Sequence, residues 1–279
     1  MKAILIDITR CNGCFNCQLA CKDEHVDNDW SPYAKPQPDL GHFWMRVHEV
    51  ERGVVPKVKV AYVPKLCTQC ENPRCEKVAR NGAVYRRKDG IVIIDPEKSK
   101  GQREILESCP YGCIFWNQEL DIPQKCTFCA HLLDQGWKEP RCVEACCTGA
   151  MIFGEYDQLK DIIHKRKAEI LNSEFSLEPR VYYIGLPKRF VAGTVLCEKI
   201  GEPLENAKIT LSNLSTRESI TTKADNYGDF EYEGLETGGK FSLLIEKAGY
   251  QNKLIESVHT EKDVYLGEIF LLPKEQINS

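Results

Sequence analysis

The chain has 279 residues, 42% of them hydrophobic and 28% charged, with a formal net charge of −4 and a sequence pI near 6.0. One or two globular domains fit that length, and without a basic excess to coat a phosphate backbone, nucleic acid is not an expected partner. Fifteen cysteines in a chain that reaches Cys11 before a signal peptide could finish read as reduced thiols, not disulfides.

No twin-Arg stretch precedes the first cysteines, and no apolar run approaches the ~18 residues of a membrane span. The expectation is a cytoplasmic protein without a membrane span of its own, with export in company of a partner left open. Residues 1–10 alternate over Ala3, Leu5, Ile6 and Ile8, predicting a short strand that delivers the chain to its first cysteine loop. There Cys11, Cys14, Cys17 and Cys21 form a C-x2-C-x2-C-x3-C run. Three thiolates at that spacing wrap one face of a cubane cluster, and the fourth points at a different cluster. Lys22 follows, where the bacterial ferredoxin run continues into Pro.

Residues 22–66 read as a Pro-broken insertion with Trp44 and four polar rings, His25, Tyr33, His42 and His48. Each histidine could be a ligand or proton carrier, but a hydrogen-bonded structural role is the commoner one. Cys67, Cys70 and Cys75 offer three more ligands to one cluster, and Cys109, followed by Pro110, supplies the fourth. Within the second insertion, 76–108, Gly90 to Asp95 reads as a strand paired with Ala83 to Arg86. Cys126, Cys129, Cys142 and Cys146 close the series. Leu159, Ile162, Ile163, Ile170 and Leu171 predict a packing helix over 156–171. An extended segment at Pro179 to Gly185 and a linker at Leu186 to Arg189 follow.

Beyond Phe190 only Cys197 remains of the cysteines, and residues 191–279 hold 9 Lys and Arg against 15 Asp and Glu. Short alternating segments predict strands at 193–197, 207–212, 219–223, 230–232, 241–246 and 265–272, with turns at Asp225-Asn226 and Gly238-Gly239. The fold class is therefore α+β: a bacterial-ferredoxin-like multi-cluster domain at 1–186 and an all-β sandwich at 190–279. An acidic β-domain without a catalytic cluster reads as an interaction or spacer module.

Exchange of the fourth ligands between neighbours gives three sets: Cys11, Cys14, Cys17 with Cys146; Cys126, Cys129, Cys142 with Cys21; and Cys67, Cys70, Cys75 with Cys109. Three [4Fe-4S] clusters are expected, leaving Cys113, Cys147 and Cys197 over. No residue here is expected to be catalytic.

Residues 1–185 resemble the four-cluster, ferredoxin-like electron-transfer subunits of molybdopterin oxidoreductases of the dimethyl-sulfoxide-reductase type. That family places one more cluster where this chain has Ala79, Ser99, Gln102 and Ile105, so the resemblance implies that one complete ligand set is missing. Stretches such as Gly41 to Met45, Asp89 to Lys98, Gln124 to Asp134 and Pro179 to Tyr183 resemble the transhydroxylase branch, which acts on polyhydroxylated aromatics such as pyrogallol and phloroglucinol. Thr221 to Leu235 and Lys247 to Tyr250 are similar to transthyretin-like or carboxypeptidase-regulatory domains. The resemblance implies a large catalytic partner subunit carrying molybdenum bis-MGD, and an external electron carrier becomes possible. The alternatives are a related reductase subunit, such as that of a catechol dehydroxylase; a protein with three Zn(Cys)4 sites; and a free-standing ferredoxin. Radical-SAM chemistry is disfavoured, since no C-x3-C-x2-C run occurs.

Overall fold

The structure, a computed structural model, describes residues 1–274. The described residues divide into two compact units: residues 1–50 with 61–186, and residues 51–60 with 187–274.

The first unit is built on β1 (Lys2–Asp7), the middle strand of a three-stranded sheet. Its sequence reads as half-buried, yet both faces are covered. Ile4 and Ile6 join the core that contains the cysteines, while Ala3 and Leu5 pack under a helix through Leu159 and Ile163. α1 (Asn16–His25) follows; then come the hairpin β2 (Arg46–Val54) and β3 (Lys57–Lys65), and α2 (Arg74–Val78). β4 (Val84–Arg86) and β5 (Val92–Ile94) form the predicted antiparallel pair. After α3 (Arg103–Glu107), the hairpin β6 (Ile114–Asn117) and β7 (Ile122–Lys125) leads to α4 (Ala130–Asp134) and α5 (Arg141–Glu144).

β8 (Met151–Glu155) then pairs antiparallel with β1. α6 (Tyr156–Lys165) is shorter than the expected 156–171 helix: it stops where Lys167 takes a left-handed φ of 49°, so Ile170 and Leu171 lie outside it. β9 (Val181–Ile184) completes the sheet, parallel to β1.

The second unit is a two-sheet sandwich of seven strands in the described residues. β10 (Arg189–Cys197) begins inside what reads as linker, and β11 (Lys208–Asn213), β12 (Ser219–Lys223), β13 (Asp229–Leu235) and β14 (Lys240–Glu246) fall close to their expected places. β15 (Lys253–His259), which the sequence reading misses, precedes β16 (Val264–Leu271). The sheets run β13-β10-β16 and β12-β11-β14-β15. Between them Val195, Ile209, Leu211, Phe230, Leu243 and Ile269 form the core. Tyr232 ties one sheet to the other by donating its hydroxyl to the Ile209 carbonyl at 2.5 Å.

Residues 51–60, the tip of the β2–β3 hairpin, belong to this second unit although they lie in the 22–66 insertion. The Asp263 carboxylate, with only 3% of its side chain exposed, receives Arg52 and Arg189 at 3.4 Å each and the Phe190 amide at 3.0 Å. Glu231 pairs with Lys57 at 2.8 Å and with Lys59. Removing Asp263 strands two guanidinium groups, a change that costs ~2–3 kcal/mol when a buried partner is lost. Asp263→Ala should therefore lower the unfolding transition of the second unit by several degrees in calorimetry; an unchanged transition would show that this cluster contributes nothing to stability.

Candidate metal centres

Short loops, not long elements, place the cysteines. Cys11 and Cys14 lie in the loop before α1, where Gly13 has φ +71° and a Cβ would stand 2.6 Å from the Tyr62 ring. Only glycine lets the loop close there. Cys17 and Cys21 are one helical turn apart on α1, both buried, so their thiols serve neighbouring positions. α1 packs on α5, the helix that carries Cys142.

Three groups of four thiols result. Cys11, Cys14, Cys17 and Cys146 line one pocket, walled by Val47, Pro64 and Met151. Cys67, Cys70, Cys75 and Cys109 line another, walled by Val92, Tyr111, Lys125 and Leu177. Cys21 lies among Cys126, Cys129 and Cys142, all four wholly enclosed. The first and third groups each share a pocket, and in the second group Cys17 also lies near Cys21 and Cys142.

Burial pushes Cys17, Cys75 and Cys126 up to about 12 and Cys70 to about 11, neighbouring thiolates adding to the effect. Cys21 and Cys142 stand well above the ordinary thiol value for the same reason. Such thiols ionise only beside a cation, which is what a metal supplies. Backbone N–H groups are already aimed at the sulfurs: Phe128 donates to Cys126 Sγ at 3.4 Å, and Met45 and Arg141 donate to Cys21 and Cys129. Cys146 is only half-buried, and donors from Thr148, Met151 and Ala150 outweigh desolvation and lower it. The Cys113 thiol lies 3.3 Å from the Leu66 carbonyl and 3.5 Å from that of Tyr111, and its presence beside Cys109 draws that thiol below its ordinary value.

The donor set is sulfur alone, set around open space. Among the described residues no three His, Cys, Asp or Glu side chains gather tightly enough for a single ion. A zinc tetrahedron would hold its four sulfurs within about 3.8 Å of one another, given Zn–S bonds of about 2.3 Å. An all-sulfur donor set in groups of four is the one that iron–sulfur clusters use.

The remaining expected residues fall into place as structural groups. His25 is 1% exposed, and its Nε2 lies 3.9 Å from Cys129 Sγ, its ring against Trp44. Burial, and then His131 beside it, draws its pKa down to about 3, so it stays neutral. His42 packs on Phe115, and Tyr33 donates to Asp134. His48 Nε2 is buried without a hydrogen-bond partner. Cys147 is exposed with its Sγ 3.7 Å from that of Cys14, and Cys197 is buried in the sandwich core. Sequence reasoning missed Lys125, Gln69 and His131, all buried polar groups. Only the position of Gln69 and Lys125 next to or between ligating cysteines could have flagged them.

Ala79, Ser99, Gln102 and Ile105 fill their own space. Ile105 is wholly buried in a small core with Val84, Ile94 and Ile114, and Ala79 packs against it. The Gln102 side chain accepts from the Arg80 amide at 2.8 Å and donates to the Lys98 carbonyl at 2.7 Å, and Ser99 donates to Pro96. An apolar and amide plug thus stands at the positions where the resemblance implies a further ligand set.

These centres define an iron–sulfur protein of the ferredoxin type, and comparison places it further. A 4Fe-4S dicluster domain matches residues 58–156, and a carboxypeptidase regulatory-like domain matches residues 191–266. The chain belongs to the family of iron–sulfur electron-transfer subunits of molybdopterin oxidoreductases. It is 37% identical to the pyrogallol hydroxytransferase small subunit of Pelobacter acidigallici, over 96% of this chain and 98% of that one. A tetrathionate reductase subunit of Salmonella typhimurium is 34% identical over 68% of this chain and 74% of its own length. A subunit of the anaerobic dimethyl sulfoxide reductase of Escherichia coli is 35% identical over 56% and 74%. Iron–sulfur chemistry thereby displaces the zinc alternative. Among the described residues no helix is long and apolar enough to cross a membrane.

If Gln102 replaces a ligand only as a plug, Gln102→Ala should cost ~1–3 kcal/mol, the penalty of leaving the Arg80 and Lys98 groups unsatisfied. Iron content should not change. Iron loss in that variant would show that the plug does more than fill space.

Proposed function

We propose that this chain is the electron-transfer subunit of a heteromeric enzyme whose large subunit holds molybdenum bis-MGD and moves hydroxyl groups between polyhydroxylated aromatic rings. The observation that carries this reading is the 37% identity to the pyrogallol hydroxytransferase small subunit, which runs through 96% of this chain and so includes the β-domain. The tetrathionate and dimethyl sulfoxide reductase subunits align over only 68% and 56% of it.

On this reading Cys11, Cys14, Cys17 and Cys146 hold the first [4Fe-4S] cluster, Cys126, Cys129, Cys142 and Cys21 the second, and Cys67, Cys70, Cys75 and Cys109 the third. Supporting it are the cavities that the first and third sets line and the close approach of the thiols in the second. When bound, the clusters supply one-electron transfer. This chain's own residues then hold them, exclude water through Trp44, Phe128 and Leu66, and direct N–H groups at the sulfurs. Catalysis belongs to the large subunit. The boundary between the cluster domain and the β-domain is proposed at 186–190, and the β-domain, of transthyretin-like kind, is proposed to dock on that partner.

Three measurements test these points. Cys21→Ala should damage the cluster held by Cys126, Cys129 and Cys142 more than the one held by Cys11, Cys14 and Cys17, as followed by electron paramagnetic resonance; the reverse pattern would overturn the exchange. Turnover of the purified complex on pyrogallol should consume no net reducing equivalents. Stoichiometric consumption would instead favour reductive dehydroxylation of a catechol-like ring, fed by an external carrier. A chain ending at Leu186 should still acquire its clusters but bind the large subunit more weakly, measured by co-purification. Unchanged affinity would remove the docking role.

A further inference from the structure

Lys125 is 3% exposed, at the end of β7 and directly before Cys126. Its ammonium group donates to two carbonyls, that of Val92 and that of Cys126 at 3.1 Å. The first acceptor is on β5 and the second on a cysteine of the second set. The same side chain also walls the cavity around Cys67, Cys70, Cys75 and Cys109.

Gln69, 1% exposed and lying between Cys67 and Cys70, doubles this link. It donates to the same Cys126 carbonyl at 2.9 Å and accepts from the Val92 amide at 2.8 Å. Lysine and glutamine together form a bridge from one cysteine set to the other. A buried ammonium is costly unless anionic groups face it. Here the groups that face it are the two carbonyl oxygens and the cysteines of the cavity that it walls. Neither the ligand scheme nor electron transfer as such requires a lysine at this place.

We propose that Lys125 is a fixed cation shared by the second and third clusters, raising the reduction potentials of both together so that an added electron is stabilised on either one. The proposal rests on the three-cluster reading given above. Reduction adds one electron to a cluster, supplied in the test by dithionite, and no bond forms or breaks. A positive charge within a dry interior favours the more negative, reduced state of any cluster facing it. The first cluster, with no contact to Lys125 among its walls, lies outside this effect.

The test is a potentiometric titration followed by electron paramagnetic resonance on the full chain, purified anaerobically with its large subunit. The first cluster's signal is assigned through Cys14→Ser. In Lys125→Met with full iron, the midpoints of the second and third clusters should both shift to more negative potential while that of the first stays in place. Lys125→Arg should return both toward the wild-type values. Unchanged midpoints at full iron would overturn the proposal, as would an equal shift in all three clusters. If Lys125→Met loses iron, Gln69→Glu decides in its place: a carboxylate beside the ammonium should lower the same two midpoints, and full iron with no shift is contradictory. Iron loss in both variants would overturn the proposal in favour of a purely structural bridge. Failure of the underlying reading appears separately, as a wild-type protein whose signals do not resolve into three clusters.

Discussion

Everything in the first unit depends on one constraint: thiols must be ionised to bind metal, and these are buried where ionisation is penalised. Cys17, Cys21, Cys67, Cys126 and Cys142 are members of the main hydrophobic core, not of a separate surface site. The elements around them are slight, with helices of 4 to 10 residues and sheets of two or three strands. Helices that short have little stability of their own. Binding free energy at the metal centres is therefore also folding free energy, as in other small metal-dependent domains. The N–H groups of Phe128, Arg141 and Met45 and the nearby ammonium of Lys125 show how the chain lowers the electrostatic cost without adding water.

The positions of the missing ligand set illustrate the opposite solution. Ile105 and Ala79 turn the space into ordinary apolar packing, and Gln102 satisfies the backbone of Arg80 and Lys98. Charge is removed together with the need to balance it. A half-retained set, with one or two stranded thiols, would have kept the desolvation cost and lost the cation. The second unit has no such demands. Its sandwich closes over an aliphatic and aromatic core and takes the tip of the β2–β3 hairpin with it.

What could be read from sequence follows from how local each signal is. The cysteine groups are legible because ligand spacing is a short-range rule, and ligand exchange supplies the long-range partners that the structure brings together. A strand with plain alternation, such as β14, is equally legible. The β2–β3 hairpin is not, because Pro32, Pro36 and Pro38 make the insertion read as broken chain, although all three precede β2. The 156–171 helix overshoots because Ile170 and Leu171 continue the period while Lys167 breaks the backbone. β15 has mostly exposed residues and only Val258 fully buried, which hides its inward face. Lys125 and Gln69 are polar residues whose burial depends on strands far away in sequence, so only their place beside the cysteines marks them. The membership of 51–60 in the second unit is a tertiary fact of the same kind.

The central claim is that twelve cysteines hold three four-iron clusters while a fourth family position is plugged. Iron and acid-labile sulfide analysis of anaerobically purified, fully loaded protein tests it most directly. The account predicts about twelve of each per chain, four per [4Fe-4S] cluster. About eight or about sixteen would contradict the ligand assignment, and stoichiometric zinc in place of iron would contradict the class of centre.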